Sequence, residues 1–175
     1  MAFTDAGLFA VATLRDAGRA TDAAVDEERA RFDRTWGSDP NPVTRWAAIQ
    51  RSVVRTPGQA KVALSSLPAD ASPTDFYVAV QGKGIVGHML LLGGRPEQAI
   101  PWLRAETRVC WGNLGDPINH TRAFAWLGQA LEQTGDTQGA CQAYAVLLER
   151  WGKAKPRSIT VDEVRKRVAA LKCRK

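Results

Sequence analysis

Histidine and cysteine are scarce in this chain, and no long apolar run occurs. Two histidines in 175 residues, His88 and His120, exclude a multi-histidine metal centre. Three cysteines, Cys110, Cys141 and Cys173, are too few and too widely spaced for a disulfide scaffold or a CxxC metal site. Any one bridge among them leaves a thiol over. The longest apolar candidate, Met89 to Leu92, falls far short of the 18 or more residues that a membrane-crossing helix needs. The amino terminus, Met-Ala-Phe-Thr-Asp-Ala-Gly, lacks the basic segment and apolar stretch of a secretory leader. It opens straight into a helical pattern, which would also fit a fragment of a longer protein. Compartment stays open between a soluble cytoplasmic protein and an extracytoplasmic part of a longer one.

Catalytic groupings are missing too. Ser52, Ser65 and Ser66 carry no nucleophile-elbow signature beside a histidine and a carboxylate. Glu106, Glu132 and Glu149 read as exposed helix positions with no paired arrangement, and Cys110 reads as buried packing. His88 and His120 read as plain surface or groove histidines. The expectation is a protein that is not an enzyme and holds neither metal nor cofactor.

What is present is ordinary globular composition, 45% hydrophobic and 24% charged, with an uneven net charge of +6. Residues 151–175 hold nine Lys and Arg against Asp162 and Glu163, so the rest of the chain is close to neutral. Such a basic end either serves as a solvated tail or meets nucleic acid or another anionic surface.

Repeats organise the second half. Phe124, Leu127, Gly128 and Leu131 form one apolar stripe at helical spacing, and Ala140, Tyr144 and Leu147 form another. Between them Gly135 stops the first helix, since glycine takes the left-handed cap at little cost, and Asp136 or Thr137 opens the second. The same scheme occurs earlier as Val86, Gly87 and Leu90, then Gly94, then Ala99 and Leu103, with Pro96 in a first helical turn. Gly87 to Gly128, Gly94 to Gly135 and Ala99 to Ala140 share one offset of 41 residues. A loop around Trp111 to Pro117, capped by Asp116, accounts for the excess over a 34-residue period. Upstream, Leu8 to Phe32 breaks at Gly18, and Trp46 to Leu67 breaks at Thr56-Pro57-Gly58. Downstream, Thr160 and Glu163 carry a capping-box pattern, and Val161, Val164, Val168 and Leu171 share one face.

The run AFAWLGQALEQTGDTQGACQAYAVLLERW resembles a tetratricopeptide (TPR) repeat at Phe124, Leu127, Gly128, Gly135, Ala140 and Tyr144. The unit from Val80 to Cys110 is similar but lacks the early aromatic. The carboxyl-terminal end also resembles repeat regions attached to large bacterial serine/threonine kinases and other regulatory proteins. The resemblance implies an all-α fold: a right-handed α-solenoid of about four TPR-like helical hairpins with a C-terminal capping helix. Over a single domain, 1–175, the degenerate hairpins would be 4–34 and 43–68, the TPR-like units 76–110 and 117–151, and the cap 160–173.

It further implies a concave groove lined by first helices, with Gln81, His88, Leu91, Arg122, Trp126, Gln129 and Gln133 facing it. The partner-binding candidates are His88, Arg122, Trp126, Gln129 and Gln133, with Trp126 offering apolar area and Arg122 a carboxylate fork. Trp126 packing between adjacent first helices is the other reading. In such a stack Cys141 and Cys173 would be neighbours, as a disulfide or as two reduced thiols, and Cys110 would lie toward the opposite end.

One rival motif stands inside this pattern. Gly82-Lys83-Gly84-Ile85-Val86-Gly87 spells GxGxxG after the strand-like Phe76 to Val80. No second strand or ribose-binding acid follows, so a glycine-softened helix is expected rather than a dinucleotide turn. The implied function is a non-catalytic interaction scaffold for a peptide or partner protein of unknown identity. The alternative is nucleic-acid or anionic-surface binding through the basic end.

Overall fold

The computed structural model describes residues 6–36, 42–74, 80–108 and 117–173. The protein is all-α, with nine helices and no strand among the described residues. They are α1 (Ala6–Asp16), α2 (Asp22–Trp36), α3 (Pro42–Val53), α4 (Pro57–Leu64) and α5 (Val80–Leu92). There follow α6 (Pro96–Thr107), α7 (Pro117–Gln133), α8 (Thr137–Trp151) and α9 (Ile159–Ala170). No helix among the described residues is long and apolar enough to cross a membrane.

Local chemistry sets the helix ends. Gly18, Gly94 and Gly135 all take positive φ, at 70°, 80° and 85°, where a Cβ would be strained. Asp136 then caps α8 by accepting from the Gly139 N–H at 2.8 Å. At α4 the Thr56 hydroxyl and the Gln59 amide form a reciprocal capping box, and Pro57 follows at the first helical position. The α9 cap differs from the expected pairing of Thr160 with Glu163. Ser158 is the capping residue, accepting from the Val161 N–H, and Thr160 already lies within the helix. The hydroxyl two residues earlier wins because it stands where the backbone is still extended. The strand-like Phe76 to Ala79, Cys110 and the Asp116 cap lie outside the described residues.

Close helix contacts occur where the sequence places small residues. A Cβ on Gly87 would stand 2.6 Å from Leu103 Cγ, so α5 meets α6 only because that side chain is missing. Gly128 repeats the arrangement against the Tyr144 ring, tighter still, where α7 meets α8. Ala99 and Ala140 are fully buried in the partner helices. The GxGxxG stretch is therefore helix interior: residues 82–87 belong to α5, and its glycines admit Glu106 and Leu103 rather than a phosphate. Further contacts join α3 to α5 and α6 to α7, and one core runs from Leu8 to Val164. Upstream, the Trp46 indole N–H bonds the Ala63 carbonyl and the Ser66 hydroxyl, fixing α3 on α4.

Three devices fasten α9. Val161 and Val164 are buried, with Val168 and Leu171 half-buried beside them. Arg167 donates to Glu132 at 3.1 Å, and the same carboxylate oxygen accepts from the buried Tyr144 hydroxyl at 2.8 Å. Burial first, then that bond to Glu132, pushes the Tyr144 phenol well above its ordinary range. Glu132 is thus a tie between α7, α8 and α9, rather than the exposed acid expected from its helix alone. Cys141 and Cys173 are joined by a disulfide, with Cα atoms 5.6 Å apart.

Two predictions follow from this packing. Gly128→Ala lowers the unfolding free energy by about 1–3 kcal/mol, because overpacking against Tyr144 outweighs alanine's helix propensity. Gly58→Ala, whose Cβ would meet nothing within 4 Å, is neutral or raises stability by up to about 1 kcal/mol. Urea titrations of both variants check the opposite signs. Thiol titration of protein oxidised in air and unfolded without reductant counts one free thiol per chain. Prior reduction raises the count to three and costs on the order of 3 kcal/mol, since the bridge closes a loop of 32 residues.

Candidate functional site

A cleft of about 490 Å³ is lined by residues of α1, α5 and α7 and of the end of α3. Its centre is an aromatic stack between His88 of α5 and Trp126 of α7, with ring centroids 4.1 Å apart and planes at 12°. Arg122 lies one turn before Trp126, on the same face of α7, and is exposed. Val54, Ile85, Met89 and Leu92 form an apolar floor. Phe9 and Ile118 border the opening, 54% and 55% exposed although both are large and apolar.

The cleft also contains Arg51, Arg55 and Asn119. Arg55 is held in place: its guanidinium donates to the carbonyls of Arg51, Ser52 and Val54, which close the end of α3. It lies 3.7 Å from Asp16 and sits over the Phe9 ring. Burial lowers Arg55 from its ordinary value, with Asp16 opposing and Arg15 assisting. It remains a cation at neutral pH.

His88 is held at about 4 by burial first and then by the charges of Arg122 and Arg55. The ring is therefore neutral at pH 7. This makes it an aromatic wall of the cleft rather than a further cation beside the arginines.

Of the five partner-binding candidates, His88, Arg122 and Trp126 converge on the cleft, while Gln129 and Gln133 lie farther along α7 and do not line it. Trp126 stacks on His88 across α5 and α7 and also lines the cleft. Leu91, expected to face the groove, is buried in the core and does not line the cleft. The Gln81 side chain lies outside the described residues. Sequence reasoning missed Phe9, Arg51, Arg55, Ile118 and Asn119. Arg51 and Arg55, four apart where α3 ends, were the legible signal among them.

His120 and Glu106 depart furthest from expectation. Both are buried, 2% and 3% exposed, with His120 Nδ1 3.3 Å from one Glu106 oxygen. The other carboxylate oxygen accepts from the Gly84 N–H at 3.2 Å. A carboxylate here requires the Nδ1–H tautomer of a neutral His120. Burial, aided by Arg150, lowers His120 from its ordinary value. The pair joins α5, α6 and α7 beneath the surface, away from the cleft. Among the described residues no group of three or more His, Cys, Asp and Glu could hold a metal.

No family model, curated protein or solved structure matches the chain. The fold is that of an all-helical protein with a basic, aromatic-walled cleft lined from α1, α3, α5 and α7.

The pH response has a definite sign. Between about pH 6.5, where an unfolded histidine titrates, and about pH 4, the unfolded chain binds a proton that His88 in the fold refuses. Its contribution is complete above pH 6.5 and is lost as pH falls toward 4, and His120 acts in the same direction. Histidine ring NMR should show the His88 midpoint near pH 4. A midpoint at or above 6 would refute the buried, cation-flanked environment.

Proposed function

We propose that the chain is a non-catalytic interaction scaffold. Its helices form a right-handed α-solenoid of about four TPR-like hairpins, α9 caps it, and a peptide or partner protein docks in the groove lined by α3, α5 and α7. Two facts support the repeat reading. The 41-residue offset between Gly87 and Gly128 matches two helix contacts of the same kind, and residues of α3, α5 and α7 line one cleft. The observation that carries the binding reading is the cleft itself. It places exposed large apolar side chains and an exposed guanidinium around a rigid aromatic stack, the composition of an interaction hot spot.

Binding through the basic end is the weaker reading, because three of its nine cations are already engaged within the fold. Arg157 pairs with Asp162 at 2.6 Å, Arg165 donates to the Gly152 carbonyl, and Arg167 serves Glu132.

Affinity capture with the intact chain and with Trp126→Ala and Arg122→Ala tests the groove. A partner retained by the natural chain should be lost from both variants while their circular dichroism stays helical. Retention that survives both changes, or consists of nucleic acid released steeply by salt, argues for another surface.

A further inference from the structure

We infer that the cleft takes an acidic peptide segment, with carboxylates on Arg122 and on the Arg51–Arg55 side flanking one bulky apolar side chain on the floor between them. This inference rests on the groove reading above and names the chemistry of its ligand.

Charge is the first argument. Three guanidinium groups line the cleft, and no Asp or Glu among the described residues lines it with them. The neighbouring acid, Asp16, is divided: it binds Arg15 at 2.7 Å and reaches Arg55 only at 3.7 Å. Arg122 has no ion-pair partner among the described residues. Charges of one sign inside low-dielectric walls concentrate field on an incoming anion. A guanidinium also matches a carboxylate with two parallel hydrogen bonds.

Shape and apolar surface are the second argument. The floor of Val54, Ile85, Met89 and Leu92 lies between the two basic sides and suits an aliphatic or aromatic side chain. A cleft of about 490 Å³ accommodates the side chains of a short peptide segment.

The test pans a random displayed peptide library against the intact chain, then measures enriched peptides by fluorescence polarisation. A single-stranded oligonucleotide serves as competitor. The His88 ring signal, one of only two histidine signals, reports whether the cleft is occupied. The expected peptides carry Asp or Glu on both sides of a Leu, Phe or Met, and they shift the His88 signal. Replacing either of their acids by its amide, or introducing Arg122→Ala, should weaken binding about tenfold, the loss of one charge-assisted contact. Arg122→Glu should turn the preference toward Lys-bearing peptides.

Neutral or basic peptides that move His88 and are lost with Trp126→Ala would overturn the acidic ligand but leave the groove in place. An oligonucleotide that displaces the peptides and moves His88 more strongly would overturn it as well. Failure to enrich any peptide, or enrichment of peptides indifferent to Trp126→Ala and Arg122→Ala, would remove both the ligand and the groove reading.

Discussion

The close approach of helices at Gly87 and Gly128 is the constraint on which the rest of the structure depends. Each glycine lets a partner side chain, Leu103 or Tyr144, occupy the volume that its own Cβ would take. Successive helical residues are turned by about 100°, so a helix that buries its glycine against one partner presents neighbouring residues elsewhere. His88 follows Gly87 directly, and Trp126 lies two residues before Gly128. The same contacts that pair α5 with α6 and α7 with α8 therefore turn His88 and Trp126 toward each other. The stack at the centre of the cleft is a by-product of how the pairs are closed.

Polar ties reinforce this packing at two depths. Burying the Glu106 carboxylate would be costly without compensation, and the Gly84 N–H and His120 supply it from two other helices. Gly84 has a second part in this, since a Cβ there would press on Glu106 Cγ at 3.1 Å. Nearer the carboxyl-terminal end, Glu132 gathers Tyr144 and Arg167 and so connects the last pair to α9. These ties are directional where the apolar core is not, and they hold three helices in one relative placement.

Charge is divided between two regions with different fates. The lysines and arginines that follow residue 151 account for the formal excess, and the fold directs three of the arginines to two carboxylates and a carbonyl. The cleft contributes fewer cations, brought together without a lining acid. A count along the chain therefore does not by itself locate the exposed positive charge. Electrostatic potential follows the arrangement of charges in space, including which of them are already neutralised.

From sequence alone, the helical class, the breaks at Gly18, Gly94 and Gly135 and the small contact positions were readable. Each rests on a short-range rule, either the apolar period of a helix or the tolerance of glycine for positive φ. His88, Arg122 and Trp126 came instead from the resemblance to a tetratricopeptide repeat, which implies that they face a groove. Tertiary structure alone decided that Arg51, Arg55 and Phe9 complete the cleft, that Gln129 and Gln133 stay outside it, and that Glu106 and His120 are an internal pair. Those outcomes depend on the angle and distance at which separate helices meet. Many side chains set these together, and no single stretch of sequence contains them.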